Sequence, residues 1–129
     1  LQNVVMIPRQ AKDQMPQVWS LCDISLVHLK DAPLFKTVIP SKIFESMAMG
    51  LPILMAMPIG EATDIIEEHR AGINVSPGCP KQLSEKFLEL AKDKELVRTL
   101  SCNSLNAARN FDRKKLALEM LNYIEEIVS

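Results

Sequence analysis

Aromatic side chains are scarce in this sequence of 129 residues, which holds one tryptophan and one tyrosine. Charge of one sign is scarce too: 15 Lys and Arg are interspersed among 16 Asp and Glu, for a formal net charge of -1. A nucleic-acid binder needs a basic field to neutralise phosphates, and a single-strand binder also needs aromatic faces for base stacking. Neither is here, which argues against that class of partner. No apolar run approaches the ~20 residues that span a bilayer. The chain opens Leu1-Gln2-Asn3 and passes straight into Val4-Val5-Met6-Ile7, an opening that does not read as a signal peptide. The three cysteines, Cys22, Cys79 and Cys102, are odd in number and far apart, and lack metal-ligand spacing. They read as reduced thiols of a cytoplasmic protein. Also missing are a nucleophile elbow, a cluster of His with Asp, paired metal ligands, internal repeats and low-complexity stretches.

What is present is the composition of one globular domain, 47% hydrophobic and 24% charged. A first residue of Leu instead of Met leads us to expect a piece of a longer protein. We read residues 1–129 as a single partial domain, with a βα core over 4–91 and C-terminal helices over 93–128.

Val4–Ile7, closed by Pro8, is a short continuous apolar run, the pattern of a strand buried on both faces of a parallel sheet. Lys12 to Cys22 reads as a helix capped by Asp13, with Met15, Val18, Trp19 and Cys22 on one face. Ile24–Leu29, Pro52–Ala56 and Ile73–Val75 read as further strands. Pro40–Met49 reads as a helix stopped by Gly50, and a helix from about Glu61 to Arg70 is ended by Gly72. After the loop Ser76–Pro80 the sequence is helical. Leu83, Phe87 and Leu90 mark one apolar face, and Leu96, Val97, Leu100 and Leu105 a second. Leu116, Met120, Leu121, Ile124 and Ile127 mark a third, with Asp93 and Asp112 as caps. Strands alternating with helices predict an α/β fold with a parallel sheet covered by helices. Four strands are few for such a sheet, so we expect upstream units to complete it.

Ligands of open parallel sheets bind beyond the carboxyl ends of the strands. The loop Lys30–Ile39 is longer than the 2–6 residues such connections usually need. The helix after it places Ser41 and Lys42 in its first turn, where free N–H groups and the dipole favour an anion over a cation. A bound phosphate would reverse that cost, cradled by the N–H groups and paired with the ammonium. A solvated surface lysine is the plain alternative. Glu45, one turn on, shares a face with Ser41, Lys42 and Met49, while Ile43, Phe44, Met47 and Ala48 form the buried face. Its carboxylate is placed to accept hydrogen bonds from vicinal hydroxyls such as those of a ribose. An ordinary Lys42–Glu45 pair is the alternative. His28, near a strand end, could reach a ligand or be structural, and His69 reads as a surface residue. Met47, Met49, Met55 and Met57 read as core packing.

The run Pro40-Ser41-Lys42-Ile43-Phe44-Glu45-Ser46-Met47-Ala48-Met49-Gly50-Leu51-Pro52-Ile53-Leu54 resembles the signature segment of the retaining, GT-B-fold glycosyltransferases. Trp19 to Val27 resembles that family's helix-Ala-Asp-strand element. Gly60–Ile66 with Ala71–Gly78 resembles its next loop, helix and Gly-x-x-Val-x-Pro-Gly strand. The resemblance covers most of Val4 to Leu90, in the family's order, and implies a Rossmann-like C-terminal, donor-binding half lacking its first βα units. It implies that Glu45 holds the ribose hydroxyls, that Pro8 and Arg9 line the place of the base, and that Ser41 and Lys42 contact the diphosphate. The Pro-Ser-Lys start resembles a subgroup common among bacterial surface-polysaccharide enzymes. Lys36, Thr37 and Val38 would face the donor sugar, with Gly60 and Glu61 at the next strand end. The chain departs from the pattern at Thr37, where the family has its first Glu, and at Pro40, where a Gly is common. That points to a deoxy or amino sugar.

The implied activity is transfer of a sugar from a nucleoside diphosphate, UDP in our reading, to a glycan or lipid-linked acceptor with retention. No metal or other cofactor is expected, the nucleotide-sugar being a co-substrate. The implied partners are that donor and a missing N-terminal acceptor-binding domain. We expect the parent protein in the cytoplasm, at the inner face of the membrane. A UDP-N-acetylglucosamine 2-epimerase-like enzyme and a non-catalytic α/β interaction module are the alternatives.

Overall fold

Three short strands occupy the middle of the chain: β1 (Ser25–His28), β2 (Ile53–Ala56) and β3 (Gly72–Val75). They form one parallel sheet in the order β1-β2-β3. The structure is a computed structural model that describes residues 2–128, so Leu1 and Ser129 of the expected domain lie outside the described residues. In register, Ser25 lies beside Ile53 and Ile53 beside Gly72, while His28 lies beside Ala56 and Ala56 beside Val75. The carboxyl ends of the three strands are therefore level, and the three loops that leave them emerge along one edge.

The helices are α1 (Met15–Trp19), α2 (Lys42–Ala48), α3 (Glu61–Glu68), α4 (Pro80–Lys92), α5 (Lys94–Ala108) and α6 (Arg113–Val128). β2 is buried at every position, as its unbroken apolar run requires of a strand covered on both faces. On one face Val27, Ile53 and Met55 pack with Ile43 and Met47 of α2 and Ala62 and Ile66 of α3. On the other, Leu54 meets Leu90 of α4 and Leu100 of α5. The parallel α/β architecture with a helical C-terminus is as expected from the sequence.

Four local expectations need correction. Val4–Ile7 is not a strand: its side chains are 50–87% exposed, and no described strand pairs with it. An apolar run states a preference for burial, but a strand also needs a neighbour to satisfy its N–H and C=O groups. Asp13 caps nothing. It lies inside a 3-10 turn, Lys12–Gln14, that precedes α1, and the Gln14 side chain accepts the Ala11 N–H at 3.4 Å instead. The helix α3 is ended by Arg70 in the left-handed region (φ 49°), not by Gly72. Gly72 is needed one strand over, because a Cβ there would lie 1.9 Å from the Ile53 carbonyl oxygen. Finally, the inner face of α2 contains Ser46 at 0% exposure, while Ala48 faces outward.

α5 fastens the amino edge of the sheet. Ser101 Oγ donates to the Gly50 carbonyl. Ser104 Oγ shares its proton between Leu51 O (2.9 Å) and Ala71 O (3.1 Å), and Asn103 Nδ2 donates to Arg70 O at 3.0 Å. These residues immediately precede β2 and β3, so the bonds hold the edge opposite the loops. No described helix is long and apolar enough to cross a membrane.

Candidate functional site at the exposed face of α2

α2 is fixed by its apolar side and presents the other. Ile43 and Met47 are fully buried, and Gly50 ends the helix with φ +68°. In that turn Gly50 N–H donates to Met47 O at 2.9 Å and Leu51 N–H to Ser46 O at 3.0 Å, so those two carbonyls are satisfied. What remains outward is Ser41, Glu45 and Ala48, with Met49 half-buried.

Glu45 is exposed, and among the described residues its carboxylate makes no hydrogen bond or ion pair within the chain. It lines two adjoining cavities. One, of about 480 Å³, brings it together with Arg9, Gln10, Lys12 and Trp19. The other, of about 510 Å³, joins it to Ser41, Lys12, Phe44 and Arg113. Phe44 packs against Phe111 there, the rings tilted by 41° with centroids 4.8 Å apart. The exposed side of α2 is thus a wall with one acceptor-only carboxylate and cations to either side, over an apolar floor. Such a set can take vicinal hydroxyls on the carboxylate and anionic oxygen on the cations.

Lys42 takes a different direction. Its Nζ donates to Leu26 O of β1 at 3.4 Å, so the ammonium crosses to the strand and lines neither of those cavities. The i,i+3 pair with Glu45 is not formed. Ser41 occupies the cap position of α2 but its hydroxyl caps nothing.

The expected sugar-side residues form a separate group. Lys36 closes a 3-10 turn, Pro33–Lys36, and its carbonyl packs onto Gly60, where a Cβ would lie 2.0 Å from Lys36 O. Thr37 Oγ1 donates to Leu34 O at 3.3 Å, Val38 is half-buried, and Glu61 is exposed at the start of α3. Thr63 Oγ1 accepts the Gly60 N–H at 2.9 Å and donates to Gly60 O at 2.7 Å. The structure therefore brings Arg9 to Glu45 and Lys36 to Gly60. Pro8 is exposed beside Arg9, its carbonyl accepting from Gln10 Nε2 at 2.8 Å.

Lys12 is the residue that sequence reasoning missed. It lines both cavities, and its place in the loop after the first apolar run was the available signal. Met49 also departs from expectation, since it lines the first cavity instead of the core. His28 lines a small cavity of about 220 Å³ with Cys79 and Leu83, and His69 packs edge-on against Phe111 at 5.5 Å. Among the described residues no group of three His, Cys, Asp or Glu is placed to hold a metal ion.

A parallel sheet with an open carboxyl edge, flanked by helices and followed by a helical C-terminus, defines a Rossmann-like α/β domain. The family described as glycosyl transferases group 1 matches residues 1–93, and the chain belongs to that family. It is also similar to an uncharacterized glycosyltransferase of Methanocaldococcus jannaschii, with 23% identity over 127 residues. That likeness covers 98% of this chain but 34% of the relative, so the chain spans about a third of the relative's length.

Proposed function

We propose that this chain is the donor-binding part of a retaining, GT-B-type glycosyltransferase of the bacterial surface-polysaccharide kind. In this reading it holds a nucleoside diphosphate sugar, UDP-linked, for transfer to a glycan or lipid-linked acceptor carried by a further domain. The observation that carries the reading is Glu45, exposed and unpaired within the chain, in one cavity with Arg9 and Lys12. The ribose hydroxyls donate to Glu45, and the base rests against Pro8 and Arg9. The diphosphate extends toward Ser41 and the first turn of α2. Lys42 reaches it by exchanging its 3.4 Å bond to Leu26 O for a charge-assisted one, which is the stronger of the two. Lys36, Thr37, Val38, Gly60 and Glu61 face the donor sugar, with Thr37 favouring a deoxy or amino sugar. The work of these residues is positioning and stabilising the departing diphosphate, so this part alone turns nothing over. No metal is required for that role, and the cytoplasmic face of the membrane is where such an acceptor would be met.

The test uses a protein carrying residues 1–129 together with an acceptor-binding domain, supplied with a UDP-sugar. Acceptor-dependent transfer with retained anomeric configuration is expected. Conversion of the sugar nucleotide with no acceptor present would instead identify an epimerase, and turnover by residues 1–129 alone would overturn the division of labour.

A further inference from the structure

α2 is only seven residues long, and no side chain caps its start. Its attachment to the sheet is polar and internal. Ser25 opens β1 and Ser46 lies on the inner face of α2, and both are shut away from water at 1% and 0% exposure. Their hydroxyl oxygens are 2.6 Å apart, and Ser46 Oγ is 2.7 Å from the Lys42 carbonyl oxygen. A carbonyl only accepts and each hydroxyl has one proton, so the two contacts are both full hydrogen bonds in one arrangement. Ser46 donates to Lys42 O, and Ser25 donates to Ser46. Lys42 then reaches back to the next residue of the same strand through Nζ and Leu26 O. The strand and the first turn of the helix are thus tied at neighbouring points, and both ties end on Lys42.

Two alanines would fill much the same space without any hydrogen bonds to satisfy. A buried hydroxyl pair contributes direction, since it is satisfied only at one height and rotation of the helix on the strand. Glu45 is the residue before Ser46, so that height and rotation also set where its carboxylate stands. We infer that Ser25 and Ser46 are positioning residues of the nucleotide site, a relay from β1 to the Lys42 carbonyl that holds Glu45 at the cavity wall. This rests on the donor-binding reading above.

Ser25→Ala cuts the link between strand and helix while Ser46 keeps an acceptor for its proton. Ser25→Ala/Ser46→Ala removes the pair and leaves no buried hydroxyl unmatched. Ser104→Ala, which removes a buried hydroxyl bound to Leu51 O and Ala71 O, serves as a stability control. UDP affinity is measured by NMR titration and thermal midpoints by calorimetry. The Kd for UDP rises about threefold or more in Ser25→Ala and in the double variant, because a loosened supporting shell misplaces the site. The double variant melts closer to wild type than a single Ser46→Ala variant, which leaves the buried Ser25 hydroxyl without its partner, and does so without recovering affinity; Ser104→Ala loses stability but keeps the wild-type Kd. A Kd that changes by less than that threefold in both folded variants overturns the inference. So does affinity that merely follows the melting temperature, or loss of the native fold in both variants. Failure of the wild-type chain to bind UDP would instead overturn the donor-binding reading itself.

Discussion

At the scale of single residues, the donor-binding proposal separates function from stability most cleanly at Glu45. It is exposed and bonded to nothing in the chain, so removing it costs the fold little, within about 0.5 kcal/mol for a surface change of this kind. Glu45→Ala should therefore leave the urea midpoint unchanged while weakening UDP binding about tenfold, the loss expected for charge-assisted hydrogen bonds to a ligand hydroxyl. Equal binding by the two proteins would remove Glu45 from the site. Arg70 is the opposite case, a residue whose backbone carries strain at φ 49°. Ending a helix with a left-handed residue costs a side-chain-bearing amino acid about 1 kcal/mol that glycine avoids. Arg70→Gly should raise stability by roughly that amount in urea titrations. The bonds from Arg70 N–H to Glu67 O and from Asn103 to Arg70 O are backbone features of that position and survive the change.

At the scale of elements, legibility followed how local the deciding interaction is. Asp93 and Asp112 were readable as caps, and they are: Asp93 Oδ1 accepts from Leu96 N–H at 2.9 Å, and Asp112 Oδ1 from Lys114 and Lys115 N–H at 2.8 and 3.0 Å. β2 was readable because burial on both faces leaves an unbroken apolar run. Val4–Ile7 has the same composition and is no strand, since pairing depends on a neighbour that lies elsewhere in sequence. The inward place of Ser46 on α2 was hidden for a related reason. A serine looks like an outward residue until Ser25, 21 positions away, supplies its partner. The cap on α6 gives a prediction in pH. The backbone N–H groups of Lys115 and Lys114 hold the Asp112 carboxyl below the ordinary carboxylate range. A lowered folded-state pKa means its contribution is present above the unfolded pKa and lost as pH falls through the folded one. Amide protection at Lys114 and Lys115 should therefore fall below about pH 4. In Asp112→Ala it should be low at every pH, and wild-type protection that ignores acid would contradict the assignment.

At the scale of the whole molecule, the two edges of the sheet are treated differently. Hydrogen bonds from Ser101, Asn103 and Ser104 of α5 close the amino edge, while the carboxyl edge releases three loops. The open carboxyl edge was legible, since alternating strands and helices imply it once the sheet is parallel, whereas the α5 bonds, 33 to 53 positions apart in sequence, were not. Part of the geometry of the candidate site was legible with that edge. The outward place of Glu45 follows from its spacing on α2, and Arg9, from the loop after the first apolar run, lines a cavity with it. The direction of Lys42 was not, because Leu26 O becomes its acceptor only when β1 and α2 are packed together. Nor was the role of Lys12, whose reach into both cavities depends on how the 3-10 turn sets the entry to α1. The last helix shows the same scale from another side. α6 has no buried residue, and Leu118, Met120, Tyr123, Ile127 and Val128 are 61–84% exposed.

The central claim is that the outward face of α2, together with the Arg9–Lys12 loop, is a nucleotide site. It is tested most directly by mapping backbone amide shifts as UDP is added to the chain. The shifts are expected to gather at Arg9–Lys12 and Ser41–Met49, and to vanish in Glu45→Ala. Shifts confined to the cavity lined by Met57, Asn74, Gln82 and Lys86, with α2 silent, would contradict it.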